Sequence, residues 1–167
     1  MMKTKTIIIV VIALVLLCAF NANGIKSAVE YDDELKKGAY FTASVEDVET
    51  LLNKEFNSYD KIELEEWDDN EENEENEILH AEFQCHDNTW NIDVRLERNK
   101  VISVLLSTSG MNNGEAEDYE IRNMVKFFSD ITGCDKQSLT DSIESLIVGN
   151  DKILYENGVM IKYKPTD

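Results

Sequence analysis

Apolar and polar residues alternate strictly through the middle of the chain, which indicates β-strands. The clearest run covers residues 89–98, and weaker runs cover 61–67 and 78–85. In the clearest run two sets of side chains point to opposite sides: Trp90, Ile92, Val94 and Leu96 against Asn91, Asp93, Arg95 and Glu97. A more apolar strand follows over 101–108, after a tight turn. The pattern predicts an antiparallel meander of about four strands with one packed face and one solvated face.

Apolar residues at helical spacing come before and after these strands. Residues 45–56 carry them on one face, and Ser44 with Asp47 resembles a capping box at the start. Two further amphipathic stretches follow the strands, and the chain closes with two short strands around the hairpin turn Asn157-Gly158. The order α-ββββ-αα-ββ predicts a single α+β domain over residues 44–167. Its two layers are an antiparallel sheet, made of the meander and a C-terminal hairpin, and about three helices.

The first two dozen residues predict a signal peptide over residues 1–24. Lys3 and Lys5 form a short basic region, and an unbroken apolar run extends over 7–20. Small residues at Ala22 and Gly24 then suit a signal peptidase, so the three parts of a secretory signal are present. We expect cleavage after Gly24 and an extracytoplasmic location, either secreted or periplasmic.

Two alternatives to cleavage remain open. A membrane anchor needs roughly 20 apolar residues, and the run here is at the short limit. A lipoprotein would be attached through Cys18, although Leu17 before it is larger than the small residue that lipid attachment prefers. Residues 25–43 are polar and lack clear periodicity, which predicts a tether or an irregular segment leading into the domain.

The charge of the chain limits its partners. The sequence has 16 basic and 34 acidic residues, a formal net charge of −18. Cleavage would remove only the charges of Lys3 and Lys5, which leaves 14 basic and 34 acidic residues and a net charge of −20. Such a field opposes binding to nucleic acid and docking on an anionic membrane. It favours a basic protein partner.

A strongly acidic segment, residues 68–77, separates the first two predicted strands. It holds seven acids and three asparagines, so we expect a long solvated loop. Alternating oxygen ligands suggest weak calcium binding. A twelve-residue calcium loop that began at Asp68 would need glycine and an acid where Asn73 and Leu79 stand. No metal site is therefore assigned, and a weakly calcium-binding envelope protein is kept as an alternative function.

The solvated face of the meander is the candidate site. Its predicted binding residues are His80, Glu82, Asp93 and Arg95, with Trp67 as a further contact residue. A histidine, carboxylates and an arginine are the raw material of acid–base chemistry, but solvated sheet faces also carry such residues routinely. An ordinary cross-strand ion pair between Arg95 and Glu82 or Asp93 would explain them.

No motif for catalysis is present. The sequence lacks a glycine-rich phosphate loop, G-x-S-x-G and H-E-x-x-H. No catalytic residue and no cofactor is assigned. The sequence favours a non-catalytic binding or inhibitor-type protein that acts outside the cytoplasm. A small hydrolase-like enzyme that uses the polar sheet face is the alternative.

Two cysteines, Cys85 and Cys134, remain after the signal. An oxidising compartment would allow them to form a disulfide, if their Cα atoms lie close enough. The other interpretation is two buried free thiols.

Overall fold

The computed structural model describes residues 5–13, 28–67, 77–86, 88–111, 114–147, 153–156 and 159–166. The elements in chain order are β1 (Lys5–Ala13), β2 (Val29–Tyr31), β3 (Ala39–Phe41), α1 (Val45–Phe56), β4 (Glu65–Glu66), β5 (Glu77–Cys85), β6 (Asn88–Glu97), β7 (Lys100–Met111), α2 (Gly114–Thr132), α3 (Lys136–Ile147), β8 (Ile153–Glu156) and β9 (Val159–Thr166). From α1 to β9 this is the predicted order, and the α+β class is confirmed.

The meander β4–β7 forms one side of a seven-stranded antiparallel sheet with the order β4-β5-β6-β7-β1-β9-β8. The strands β2 and β3 form a separate two-stranded sheet. One row of paired positions crosses all seven strands: Glu65, His80, Asp93, Leu105, Val10, Lys162 and Ile153. The C-terminal hairpin thus joins the meander's sheet through β1, a strand that the alternation pattern did not predict.

The helix α1 begins at a capping box, as predicted. The Asp47 amide donates to the Ser44 hydroxyl at 3.2 Å, and the Ser44 amide donates to the Asp47 carboxylate at 2.9 Å. Asp47 therefore occupies the third position of the capping box, where glutamate is usual. The helix ends at Asn57, which adopts the left-handed conformation with φ 43°.

The core lies between the helices and one face of the meander, which we call the inner face. Phe56 of α1 is fully buried at its centre, with its ring 5.2 Å from Trp90, 5.4 Å from Phe83 and 5.9 Å from Phe127 between centroids. The rings meet edge to face, the arrangement that the charge distribution of aromatic rings prefers. The apolar set of the alternation pattern is therefore the packed one.

The predicted strand over residues 61–67 is shorter than expected. Only Glu65 and Glu66 pair as β4, because side chains of α1 bond the backbone before them. Asn53 donates to the Ile62 carbonyl and accepts from the Ile62 amide, both at 2.8 Å. The Leu64 amide donates to the Glu49 carboxylate at 2.7 Å. These bonds satisfy polar groups that a neighbouring strand would otherwise pair.

Residues 28–43, within the segment predicted to be a tether or irregular, are packed against the domain. Four of them have side chains at most 4% exposed: Val29, Leu35, Ala39 and Phe41. Asp32 pairs with Lys100, and Glu34 pairs with Arg98. The hydrogen bond from Lys100 lowers the pKa of Asp32, and Asp32 in turn raises the pKa of Lys100.

The predicted signal peptide overlaps β1, which occupies residues 5–13. The rest of the apolar run, residues 14–20, and the predicted cleavage site lie outside the described residues. Within the part of the chain that the structure describes, no helix combines the length and hydropathy needed to span a membrane.

Candidate functional site on the outer face of the meander

The face of the meander away from the helices, which we call the outer face, carries all the binding residues predicted on β5 and β6. At its centre, Nδ1 of His80 lies 2.7 Å from Oδ1 of Asp93. The two residues are directly opposite each other in the ladder. An ionised carboxylate can only accept a hydrogen bond, so the imidazole carries a proton on Nδ1 and turns its Nε2 atom away from the pair.

The backbone ladder explains why this pair is so close. The Trp67 amide donates to the Ile78 carbonyl at 2.8 Å, so the peptide groups of Ile78 face β4. By alternation the peptide groups of His80 also face β4 and not β6. His80 and Asp93 therefore form a non-hydrogen-bonded pair, the type of antiparallel pair whose side chains approach most closely.

Trp67 lies beside the pair. Its ring is 4.2 Å from the His80 ring between centroids, with an angle of 63° between the planes. Half of Trp67 is exposed, whereas the side chains of His80 and Asp93 are 20% and 36% exposed. The hydrogen bond between the Trp67 amide and Ile78 fixes the backbone below the ring. We call Trp67, His80 and Asp93 the outer-face cluster.

Glu82 and Arg95 lie on the same face but outside the cluster. Both are exposed. The ladder places Glu82 opposite Asn91, and it places Arg95 opposite Ile78 and Ser103. The ion pair of Asp93 is with His80, whereas the sequence suggested an ion pair with Arg95. The alternation pattern placed these residues on the correct face, but the register decides which of them touch.

Glu97 is buried, although the alternation pattern assigns it to the solvated face. It pairs with Lys100 in the ladder, and its side chain is 7% exposed. Its carboxylate accepts a hydrogen bond of 2.8 Å from the Lys36 amide, so it anchors the turn between β2 and β3. The register shift in this ladder falls on β7, where Ile102 is the extra residue, so the alternation of β6 continues through Glu97.

Exposed carboxylates lie beside the cluster on the outer face. Glu65 is paired with His80, and Glu82 stands two residues after His80 on β5. Glu66 and Glu77 are also exposed, but they pair with Leu79 and Leu96 of the other face. Glu63 is exposed just before β4. Lys61 bonds Glu63 at 2.5 Å and lowers its pKa, so this carboxylate stays ionised in more acidic solution. The acidic residues 68–76, which the sequence proposed as a weak calcium ligand set, lie outside the described residues. In the ranges that are described, no three His, Cys, Asp or Glu side chains are grouped so that they could hold a metal ion.

The possible disulfide between Cys85 and Cys134 is not formed, and both thiols are buried. Cys85 donates from Sγ to the Phe56 carbonyl at 2.7 Å. Burial, with a further contribution from the Glu120 carboxylate, raises the Cys85 pKa to about 11. Cys134 is held after α2, where its carbonyl accepts from the Ser129 hydroxyl at 2.8 Å. The two cysteines therefore contact different residues: Cys85 contacts the end of α1, and Cys134 contacts the end of α2.

Cys85 cannot act as a nucleophile for His80. Its side chain is 1% exposed and lies on the inner face, opposite to the histidine. A thiol with a pKa of about 11 is also almost fully protonated at neutral pH, and the thiolate is the reactive form.

The sequence patterns did not predict one buried polar pair, Asn88 and Glu120. The Asn88 side chain at the start of β6 donates to the Glu120 carboxylate of α2, and the two residues are 4% and 1% exposed. The signal was present in the helical spacing. Glu120 stands four and eight residues before Met124 and Phe128, which places it on their buried stripe.

One open cavity of about 320 Å³ lies on the helical side of the molecule, between α1 and α2. Its lining includes the carboxylates of Asp47 and Asp130 and no residue of the outer-face cluster. Comparison of the chain with protein-family models, with curated proteins and with solved structures finds no match. The geometry described above is therefore the basis for assigning the site.

Proposed function

We propose that this chain is a non-catalytic binding protein that acts outside the cytoplasm and recognises a basic protein through its outer face. The observation that carries the proposal is the ring of Trp67, half exposed and held against His80 at 4.2 Å on an open sheet face. Tryptophan is enriched among residues that dominate interface energies. A ring already fixed by its neighbours loses little entropy when a partner covers it.

Charge supports a basic partner. The exposed glutamates beside the cluster on this face, Glu65 and Glu82, add to a negative field that the net charge of −18 creates around the domain. Such a field steers a positively charged surface toward the face and accelerates association. A basic partner would place cations against the carboxylates and cover the tryptophan ring at the centre.

Binding fits the outer face better than hydrolysis. The His80–Asp93 pair has the geometry of an oriented base, yet a hydrolase that works through a covalent intermediate also needs a nucleophilic side chain beside the histidine. The thiol on the same strand, Cys85, lies in the core and is protonated at neutral pH. The polar groups of the face are accessible from solvent instead of enclosed, which suits contact with another macromolecule.

Export is the second part of the proposal. It is supported by the basic residues Lys3 and Lys5, the apolar run 7–20 and the small residues that end at Gly24. Fractionation of the source cells followed by N-terminal sequencing tests it. We expect a chain that begins at Ile25 in the extracytoplasmic fraction. An intact N-terminus in the cytoplasm would contradict export.

Affinity capture from the extracytoplasmic fraction tests the binding proposal, with the protein as bait. We expect a basic protein to be captured at low salt and lost at high salt, because exposed charges are screened within about 8–10 Å at 0.1–0.15 M salt. A capture that salt does not affect would contradict the electrostatic argument.

Two variants locate the interface. Trp67→Ala should weaken capture by roughly 30-fold or more, the effect of losing a hot spot of about 2 kcal/mol. Tyr59→Ala is the matched control, because Tyr59 is 81% exposed but lies outside the cluster. An equal effect of both variants would remove the outer-face cluster as the site.

A further inference from the structure

The strand β1 holds the two parts of the seven-stranded sheet together. It lies between β7 and β9 and runs antiparallel to both. Residues 5–12 pair with β7, and residues 6–13 pair with β9. In the sheet order, β9 reaches the meander only through β1. Without β1, the C-terminal hairpin would stand about 10 Å from β7, twice the usual spacing of strands.

The sequence of β1 suits a central strand. Residues 7–12 are six consecutive isoleucines and valines. Branching at Cβ favours extended backbone, and an unbroken apolar run is typical of a strand that is covered on both faces. The same residues begin the apolar run of the proposed export signal, so cleavage after Gly24 would remove this strand from the sheet.

We infer that β7 and β9 form an acceptor slot for one extended, apolar, β-branched strand, which residues 5–13 fill in the unprocessed chain and a strand of the same chemistry from a partner fills after cleavage. The second half of this inference rests on the proposed export. The first half concerns the intact chain and stands without it.

Direction favours an incoming strand over collapse of the slot. Because β7 and β9 are both antiparallel to β1, they are parallel to each other. Direct closure would create a parallel pair in a sheet whose other pairs are all antiparallel, and parallel pairing is slightly less stable per residue. An antiparallel strand satisfies both ladders at once. An open row of peptide groups on β7 is a template for such pairing.

A specific protease site placed between Gly24 and Ile25 of the full chain tests the inference without requiring the shortened chain to fold alone. After cutting, we expect the N-terminal fragment to co-elute with the domain in native size-exclusion chromatography and to separate in denaturant. A labelled peptide of residues 5–13 should then replace the unlabelled fragment in a saturable manner. Immediate loss of the fragment, with unchanged amide exchange in β7 and β9, would overturn the inference.

Substitution within β1 gives a second test. Proline at a central strand position removes a ladder bond, whichever neighbour receives it. We expect Val10→Pro in the uncut chain to raise amide exchange in both β7 and β9 by roughly tenfold or more, as local opening becomes easier. The conservative control Val10→Ile should leave it unchanged. Equal exchange in the two variants would mean that β1 does not hold the sheet together.

The two tests separate this inference from the proposed export. An intact N-terminus in cells would defeat export and the later partner strand, while the cut protein could still retain its fragment. A cleaved chain in cells, together with a cut protein that releases its fragment at once, would defeat the slot and leave export standing.

Discussion

The inner and outer faces of the meander are built from alternate residues of the same strands, yet their surroundings differ completely. On the inner face, Trp90 and Ile92 are fully buried against the helices. On the outer face, Asp93, which directly follows Ile92, is 36% exposed and bonds His80 instead of a helix. The difference shows how the work is divided. Burial on the inner face stabilises the fold, and the outer face is left available for recognition.

Truncation at the core should have the largest effect on stability. Phe56→Ala removes a ring that contacts three other aromatic rings, so we expect a loss of about 3–5 kcal/mol in the free energy of unfolding. Urea denaturation measures it. Glu82→Ala on the outer face is the control and should stay within about 0.5 kcal/mol. Comparable losses in both variants would break the comparison between the faces.

The buried thiol of Cys85 should make stability fall in alkaline solution. Its pKa is raised from 9.0 to about 11, so the folded protein holds a proton that the unfolded chain releases first. The stabilisation is complete below the unfolded pKa and is lost as pH rises through the folded pKa. Between about pH 9 and pH 11 the free energy of unfolding of the natural protein should fall by about 2–3 kcal/mol more than that of Cys85→Ala. Urea unfolding at each pH measures both proteins. If the free energies of unfolding of the natural protein and of Cys85→Ala changed equally with pH, burial of the thiol would be contradicted.

The buried bond between β6 and α2 should have an intermediate effect. Asn88→Ala leaves the Glu120 carboxylate without this donor at 1% exposure, so we expect a loss of about 1–3 kcal/mol. The double variant Asn88→Ala with Glu120→Gln should recover part of the loss, because a neutral amide is less costly to bury than a carboxylate. A double-mutant cycle with no coupling would show that the pair contributes nothing.

Alternation predicted the two faces correctly because the period of a strand is a local property. Position alone places Trp90 and Ile92 on the packed face, and it places His80 and Asp93 on the solvated face. The helix α1 and its cap at Ser44 were equally local. The patterns could not show that Asp93 would bond His80 and not Arg95, because that choice depends on the register between strands.

The remaining differences arise from contacts between distant parts of the chain. Asn53 of α1 bonds the backbone of Ile62 and shortens the predicted strand, which no pattern within residues 61–67 reveals. The turn between β2 and β3 binds Glu97, whose carboxylate accepts from the Lys36 amide and is buried there. A disulfide between Cys85 and Cys134 requires that the two residues, about fifty positions apart in the sequence, lie close together in space, and the sequence patterns do not give that distance. The pairing of β1 with β7 and β9 joins the two ends of the chain.

Removing the exposed ring should have the smallest effect on stability. Trp67→Ala loses one edge-to-face contact with His80, for which we expect about 1 kcal/mol or less. Tyr59→Ala should change the free energy of unfolding by about 0.5 kcal/mol or less. Thermal or urea unfolding compares the two variants. A loss as large as that of Phe56→Ala would make Trp67 a structural residue and weaken its assignment to recognition.

Acrylamide quenching of tryptophan fluorescence tests recognition through the outer face most directly. The chain has two tryptophans, the buried Trp90 and the half-exposed Trp67, so the difference between the natural protein and Trp67→Phe reports on Trp67 alone. When the captured basic protein is added at low salt, we expect quenching of Trp67 to fall sharply and to return at high salt. A complex that forms while the quenching of Trp67 stays unchanged would contradict the account.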